Sequence, residues 1–474
     1  MSNSSSPHSR RSFSKQSRSS RSSRVTPARR LAFEVLEDIR IHRIFLDQAW
    51  NTASRKVSLP PAEKAFARLL ATEVTSRKGS LDYLINRVLK SPDDINDDVR
   101  SALRISFAEL FYLGKAPHIV SNEGVELVRS FAPKAVGVAN FVLRRACELQ
   151  NDFPFGDIQT DDEAAGLFYG FPTWLVSRLV DEFGRDAAFQ FMKHSNCSAP
   201  LFFVINQAHA NGPQTLKALV NQGVKLAPVP RLQQHECGLS CFVFASRSDV
   251  AHDLVSELLR KGSLVISDGA AQLVATKAVP STYPERFLEI GAGRGTKSVL
   301  LQNVSLARFG KQMTLDMIDA DETRTKERIV RLKQAEISQN EVFCQDARDL
   351  SQFGTETYDA IFIDAPCTGV GTLRRHADIR WRVTADEISS MAHTGFKLLC
   401  QAARLVKPGG ALTYATCTVF KEENEEVIRA FLKSEQGSSF EVTYQRLIDD
   451  LFSSDESNPL FDAHFVCVLS KRVS

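Results

Sequence analysis

The sequence has no long hydrophobic run, no framework of paired cysteines and no internal repeat. None of its apolar stretches approaches the roughly 20 residues that a membrane-spanning helix needs, which argues against a transmembrane protein. Its nine cysteines lack a framework of close pairs and a leading hydrophobic signal region, a pattern that favours free thiols in a reducing compartment. We therefore predict a cytoplasmic protein without membrane contact. We also predict that it is a monomer.

A metal centre is also short of ligands. Cys237 and Cys241 lie near His235, but the second ligand pair that a structural zinc site needs is missing. We interpret the two cysteines as small core residues and predict no metal.

Acidic residues are absent from the first 30 positions, which carry eight Lys or Arg, whereas the rest of the chain has a net charge of −5. Twelve of the first 24 residues are serine, which leaves too little apolar surface to offset chain entropy. The composition predicts a disordered tail. A basic arm of this kind suits phosphate backbones, although a solubilising tail would have the same composition.

With 474 residues the chain exceeds the roughly 250 to 300 residues of a single core, and 43% hydrophobic residues fit a globular protein. Helical patterns dominate its first part: in "AFARLLATEV" the apolar residues recur at spacings of three and four. A mixed region follows, in which "LFFVINQAHA", "CFVFAS" and "GSLVISDGAAQLVA" resemble strands. After it, strands and helices alternate, which predicts a doubly wound, mostly parallel sheet. The predicted segments are a tail at 1–25, an all-α domain at 26–150, a linker at 151–165, a small α+β region at 166–279 and an α/β domain at 280–474.

A glycine-rich loop opens the α/β domain. In "FLEIGAGRGTKS" a short apolar run ends in Glu289 and leads through Gly291, Gly293 and Gly295 into a helix, so the backbone can approach a ligand closely. Asp319 ends the next strand, 24 residues after Gly295, at the distance of a ribose-binding acid, and the third strand end offers Asp346 for an adenine amino group. These strand ends predict a nucleoside pocket, which NAD and S-adenosylmethionine fit equally.

Two thiols at neighbouring strand ends favour a methyltransferase over a dehydrogenase. "IDAPCTGVG" places Asp364 and Cys367 at the end of the fourth strand, and "YATCTVFKEENEEV" places Cys417 at the end of the fifth. Carbon 5 of a pyrimidine is too poor a nucleophile to take a methyl group directly. Addition of a thiolate to carbon 6 makes it nucleophilic, and a second thiol can assist product release.

At these residues the chain resembles the Sun/RsmB family of RNA (cytosine-5)-methyltransferases. The family signatures stand here as "DAPC" at 364–367 and as "TC" at 416–417 followed by "EEN" at 422–424, and "APHIVSNEGVELV" resembles a NusB-like RNA-binding domain. The resemblance implies an α/β fold: a Rossmann-like class I methyltransferase domain preceded by an all-α NusB-like domain and a small α+β domain. It also implies methylation of a cytosine in 16S ribosomal RNA of the small subunit, with S-adenosylmethionine as methyl donor.

Residue roles follow from the same resemblance. Cys417 is the nucleophile, Cys367 helps to release the product, and Asp364 contacts the cytosine. Arg374, Arg375 and Arg380 are predicted to approach phosphates, although an arginine run is as often a solvated face. The candidate cofactor-binding residues are Glu289, Gly291, Ala292, Gly293, Gly295, Lys297, Asp319, Asp346 and Asp364.

Three parts of the sequence depart from the family pattern. The first loop usually reads Cys-Ala-Ala-Pro-Gly-Gly-Lys in the family, whereas residues 291–297 here read "GAGRGTK". Val204 stands where the family often has arginine. Ala463 and His464 stand where glycine and phenylalanine are common, and we interpret His464 as a packed or surface residue.

Two rival functions stay open at this stage. DNA cytosine methyltransferases use a Pro-Cys thiol as the nucleophile, which would give Cys367 the role assigned to Cys417. An RNA-binding or ribosome assembly factor without turnover would also keep the NusB-like domain, and the altered glycine loop motivates this alternative.

Overall fold

A computed structural model of the chain describes residues 25–229, 232, 239 and 241–473. All but the last residue of the predicted basic tail lies outside these residues, as do His235 and Cys237 of the weighed metal site. The described residues divide into two compact units, one formed by positions up to 74 together with 81–153, the other by 75–80 and positions from 154 onward.

The first unit is helical, as predicted. Its helices, two of which extend into 75–80, are α1 (Pro27–His42), α2 (Leu46–Arg55), α3 (Pro61–Ser76), α4 (Lys78–Val88), α5 (Asp97–Phe111), α6 (Pro117–Phe131) and α7 (Val136–Leu149). Prolines begin α1, α3 and α6, where the missing N–H would have had no helical partner. Buried Arg29 of α1 pairs with buried Glu109 of α5 at 2.6 Å, so these two buried charges compensate each other.

Three helices open the second unit: α8 (Asp162–Tyr169), α9 (Thr173–Phe183) and α10 (Arg185–Ser195). The first of them begins inside the stretch predicted as a linker, so the end of that prediction is wrong. Asp161 explains the difference, because its side chain accepts the N–H groups of Glu163 and Ala164 and caps the helix.

A four-stranded antiparallel sheet follows in the order β2-β3-β1-β4. Its elements are β1 (Phe202–Ile205), α11 (Gly212–Asn221), β2 (Leu226–Pro228), β3 (Cys241–Phe244), α12 (Arg247–Val250), α13 (Asp253–Lys261), β4 (Leu264–Ile266) and α14 (Gly269–Ala278). The strand prediction for "GSLVISDGAAQLVA" holds only to Ile266. Asp268 then accepts the Ala270 N–H at 2.9 Å and starts a helix.

A seven-stranded sheet forms the rest of the unit in the order β10-β11-β9-β8-β5-β6-β7. Its elements are β5 (Arg286–Ile290), α15 (Thr296–Phe309), β6 (Thr314–Asp319), α16 (Glu322–Gln334), β7 (Val342–Cys344), β8 (Tyr358–Asp364), α17 (Ala385–Ala403), β9 (Val406–Thr416), α18 (Glu425–Leu432), β10 (Phe440–Ile448) and β11 (His464–Lys471). The five strands from β9 to β7 are parallel, whereas β10 and β11 are antiparallel. The predicted α/β fold with a mostly parallel sheet is confirmed.

The parallel register brings the predicted site residues to one edge. β5 ends beside β8, and Asp364 at the end of β8 pairs with Ala415 of β9. Ligands of open parallel sheets bind at this carboxyl edge. No helix in the described part of the chain is long and apolar enough to cross a membrane.

Candidate active site

The glycine loop, residues 291–295, lies at the carboxyl edge between β5 and α15. Gly291, Gly293 and Gly295 have φ angles of 79°, 51° and 80°, which favour glycine. A Cβ atom on Gly291 would lie 2.3 Å from the Asp364 carbonyl oxygen, so the loop can pass this close to β8 only without a side chain. The neighbouring Ala292 is buried, and its N–H donates to the Ile318 carbonyl. The loop is therefore packed closely against β8 and hydrogen-bonded to the end of β6.

Both backbone groups of Gly293 are hydrogen-bonded to side chains. Its N–H donates to Asp319 Oδ2 at 2.7 Å, and its carbonyl oxygen accepts Arg328 Nη1 at 2.8 Å. Arg328 of α16 is fully buried, and this burial lowers the pKa of its guanidinium. Sequence reasoning missed this residue, because it stands in "ETRTKERIVRLKQ", where repeated charges are typical of a solvated helix face.

Glu289 lies fully buried at the end of β5. Its Oε2 accepts the Ser298 hydroxyl at 2.5 Å, but Oε1 has no hydrogen-bond partner among the described residues. Burial raises the pKa of this carboxyl to about 7, with a further contribution from the nearby Asp364 carboxylate. An unpartnered buried oxygen at a ligand edge can accept a donor from a bound molecule.

Asp346 follows β7 and is exposed. Its carboxylate pairs with Arg348 at 2.5 Å, and this hydrogen bond holds its pKa below the ordinary value. The structure places Asp346 at the same sheet edge as the glycine loop, but its carboxylate contacts Arg348.

Lys297 and Asp364 form an ion pair beside the glycine loop. Lys297 Nζ lies 2.6 Å from Asp364 Oδ2, and both side chains are partly buried. Burial opposes the charge of the ammonium group, but the Asp364 carboxylate outweighs it and raises the pKa of Lys297. The structure therefore brings together two of the residues predicted at this site.

The thiol pair, Cys367 and Cys417, lies next to Asp364. The two Sγ atoms are 3.4 Å apart, and the Cys417 N–H donates to Cys367 Sγ at 3.3 Å. The contact with the Cys417 thiol, together with burial, raises the pKa of Cys367 well above its ordinary value. All eight cysteines that the structure describes are free. Among these eight, only Cys367 and Cys417 have Sγ atoms in contact with each other.

Two polar residues after Cys417 fix the thiol pair. Buried Glu423 accepts the Thr368 N–H and the Thr368 hydroxyl at 2.7 Å each, and the Thr418 hydroxyl at 2.9 Å. Asn424 Oδ1 accepts the Thr416 hydroxyl at 2.6 Å, and its amide donates to the Thr418 carbonyl. The residues that flank each thiol are thus bound to one short segment.

Comparisons with known proteins agree with this geometry. Residues 279–451 match the family model described as 16S rRNA methyltransferase RsmB/F, and residues 26–148 match the NusB family. Ribosomal RNA small subunit methyltransferase B of Vibrio cholerae is 30% identical over 331 residues, which cover 69% of this chain and 71% of that protein. This chain belongs to the ribosomal RNA small subunit methyltransferase B family. The predictions of the family and of an S-adenosylmethionine-dependent RNA methyltransferase are confirmed.

Other relatives extend the match along the chain. The probable ribosomal RNA small subunit methyltransferase B of Bacillus subtilis is 25% identical over 421 residues, 86% of this chain and 88% of that protein. The crystal structure of PH0851 has a TM-score of 0.73 at 21% identity and covers 94% of this chain and 99% of its own. A methyltransferase homolog protein from Pyrococcus horikoshii has a TM-score of 0.50 at 21% identity, over 65% of this chain and 97% of that one. These two structures support the fold.

The arginines of this family member do not lie where phosphate contacts were predicted. The Arg374 side chain is only 3% exposed and binds Asp462 at 2.5 Å, and Arg375 binds both Asp462 and Asp268. Arg380 is fully buried, donates to the Asn196 side chain at 2.8 Å and lies over the Phe171 ring at 4.2 Å. Internal partners bind these three guanidinium groups. The structure gives no support to the predicted phosphate contacts of Arg374, Arg375 and Arg380.

Of the three residues considered as metal ligands, the structure describes only Cys241. Within the described residues no group of three His, Cys, Asp or Glu side chains could hold a metal ion. Cys241 is buried in β3, which agrees with a core role for this cysteine.

Proposed function

We propose that this methyltransferase acts on carbon 5 of a cytosine in small-subunit (16S) ribosomal RNA, through a covalent adduct between Cys417 Sγ and carbon 6 of the ring. The observation that carries the proposal is the 3.4 Å separation of the two Sγ atoms beside Asp364. Its relatives are named for small-subunit ribosomal RNA, and we extend that substrate to this chain.

A thiol pair suits this reaction because carbon 5 needs activation. The Cys417 thiolate adds to carbon 6, and the electron pair of the ring double bond becomes available at carbon 5. Asp364, in its carboxylic acid form and hydrogen-bonded at ring N3, favours this addition. After methylation a water molecule takes the carbon 5 proton, the double bond reforms, and the bond from Cys417 Sγ to carbon 6 breaks with its electron pair returning to the sulfur.

The two thiols are suited to different steps. Because its pKa is raised, Cys367 stays a protonated thiol near neutral pH and is a poor nucleophile. A protonated thiol beside the adduct can instead assist departure of Cys417. The assignment of Cys417 as the nucleophile follows the family resemblance at residues 416–417.

The residues around the glycine loop fit S-adenosylmethionine. A Cβ atom would fill the space at Gly291, and Glu289 Oε1 lacks a partner among the described residues. The residues that would hold the cofactor are Glu289, Gly291, Ala292, Gly293, Gly295, Lys297, Asp319, Asp346 and Asp364. When bound, the cofactor supplies the methyl group. The free thiols favour the reducing cytoplasm as the compartment, since there they stay unpaired.

The target cytosine must leave any base stack to reach this edge. A stacked ring hides both of its faces, so the substrate base is single-stranded or turned out of its helix. RNA affinity should fall as salt rises, because phosphate contacts release counterions.

Trapping with RNA that contains 5-fluorocytosine tests the adduct. The fluorine blocks loss of the carbon 5 substituent, so an enzyme that adds and methylates stays covalently bound. We expect adducts with the native enzyme and with Cys367→Ser, and none with Cys417→Ser. Trapping that survives in Cys417→Ser and disappears in Cys367→Ser would reverse the two roles.

Two further measurements separate the rival functions. A protein that binds ribosomal RNA but shows no heat of S-adenosylmethionine binding would be an assembly factor without turnover. Bisulfite sequencing of ribosomal RNA from cells with and without the gene identifies the modified cytosine. Unchanged 16S ribosomal RNA would contradict the proposed substrate.

A further inference from the structure

His464 begins β11 next to the proposed nucleophile. In the antiparallel pairing of β11 with β9, Phe465 lies opposite Thr416. Continued one residue past the end of β9, this register places His464 opposite Cys417. Opposite residues of an antiparallel pair hold their Cβ atoms about 5 Å apart. The Gly371 backbone joins both strands at this point, since it donates to the Cys417 carbonyl and accepts from the Ala463 N–H.

The side chains of His464 and Cys417 face the same side of the sheet. Ala415 and Val466 lie two residues from them along their strands, and both belong to one buried cluster. Phe465 belongs to the cluster on the opposite side. Because side chains alternate along a strand, the two-residue spacing returns His464 and Cys417 to the side of Ala415 and Val466.

Asp364 faces this side as well. It lies two residues after Phe362, which belongs to the same cluster as Ala415 and Val466. β9 lies between β8 and β11 in the sheet. Asp364 and His464 therefore flank Cys417 from the two neighbouring strands.

His464 is buried without a complete set of hydrogen bonds. Its Nδ1 has no partner among the described residues. Burial and the Lys297 ammonium group lower the pKa of the ring to about 4, although the Asp462 and Asp364 carboxylates and a backbone hydrogen bond with Asp462 oppose this shift. The imidazole is thus uncharged near pH 7. A buried polar atom without a partner is unusual where a side chain serves only for packing.

We propose that His464 is a further substrate-contacting residue, whose imidazole hydrogen-bonds the target pyrimidine on the side of Cys417 opposite Asp364. The inference rests on the proposed function and extends it. The interpretation of His464 as a packed residue agrees with its burial but leaves Nδ1 unexplained.

The position of β11 favours the RNA base over the cofactor. β11 and β5 are separated by β9 and β8 in the sheet. Three strand spacings amount to about 14 Å. The glycine loop follows β5, so the ligand next to His464 is the one that Cys417 attacks.

A pair of variants of equal shape tests the contact. Asn and Leu have similar size, but only the Asn side chain can hydrogen-bond, and its amide lies near the position of Nδ1. We expect His464→Leu to raise the KM for RNA and to slow adduct formation with 5-fluorocytosine RNA by about tenfold, in line with the loss of one hydrogen bond. His464→Asn should recover most of this loss, and both should bind S-adenosylmethionine with native affinity in calorimetry. His464→Phe provides a second apolar variant if His464→Leu does not fold.

The outcomes separate this inference from the proposed function. A native enzyme that forms no adduct would overturn the proposed function itself. Native adduct formation with equal rates in the Leu, Phe and Asn variants would overturn the contact and leave His464 a packing residue. Normal trapping on 5-fluorocytosine RNA, combined with adduct accumulation on cytosine RNA, would also overturn it, because the defect would then lie in release.

Discussion

Glu423 accepts two hydrogen bonds from Thr368, one from its backbone N–H and one from its hydroxyl, each at 2.7 Å. Its Oε2 also accepts the Thr418 hydroxyl at 2.9 Å. Thr368 follows Cys367 in the chain and Thr418 follows Cys417. One buried carboxylate therefore fixes the backbone next to each thiol, which makes Glu423 a positioning residue for the pair.

Glu423→Gln should separate positioning from cofactor binding. The amide replaces one accepting oxygen with a donor that faces the Thr368 and Thr418 donors, so we expect a loss of about 1–3 kcal/mol of folding free energy. The rate of adduct formation should fall by about tenfold to a hundredfold, whereas calorimetry should show native S-adenosylmethionine affinity. Glu426→Gln is the matched control, since Glu426 is exposed in the same segment. Native trapping rates in Glu423→Gln would contradict a positioning role.

The sequence could predict which strand ends meet, but not which polar residue of a run points inward. Alternating strands and helices define a parallel sheet, and its carboxyl edge collects Asp364, Cys367 and Cys417. Within "EEN", by contrast, Glu422 and Glu423 look alike, and only the fold shows that the second is buried.

The internal partners of the arginines were hidden from sequence reasoning for a related physical reason. A guanidinium group in a sequence carries the same charge whether its partner is a phosphate or an internal carboxylate. The carboxylates that bind Arg374 and Arg375 lie 88 residues away at Asp462 and 107 residues away at Asp268. No local pattern reports such distant partners.

Arg328→Met should weaken cofactor binding without a direct contact to the cofactor. The Arg328 guanidinium binds the Gly293 carbonyl from beneath the glycine loop. Its loss leaves that carbonyl without the bond, and we expect S-adenosylmethionine affinity to fall by about tenfold, equivalent to about 1.4 kcal/mol. Arg324→Met is the control, because Arg324 is exposed on the same helix and its ion pair with Asp321 is worth little. Equal affinities for the two variants in calorimetry would show that the loop does not need Arg328.

Glu289→Gln should change how stability depends on pH. Glu289 has a pKa of about 7 in the folded protein against an ordinary value of 4.5, so the folded state binds more protons within that window. Stability contributed by this group therefore falls as pH rises from about 4.5 to 7 and is level above. The glutamine of the variant does not titrate. As pH rises from 4.5 to 8, the variant should therefore become more stable relative to the native protein by about 3 kcal/mol. Urea denaturation without cofactor measures this; parallel pH profiles would refute the shifted pKa.

Arg374→Met should destabilise the fold and leave the salt dependence of RNA binding unchanged. Arg374 and Asp462 are both buried, at 3% and 1% side-chain exposure, so removal of the cation leaves a buried carboxylate with one fewer partner. Breaking a buried pair in this way costs about 3–5 kcal/mol, whereas Arg145→Met, which removes an exposed pair with Glu148, should cost less than about 1 kcal/mol. Denaturation midpoints measure the stabilities, and filter binding of RNA at several salt concentrations measures the phosphate contacts. If the Arg374→Met protein had native stability and its RNA affinity depended less steeply on salt concentration, Arg374 would be an RNA-binding residue.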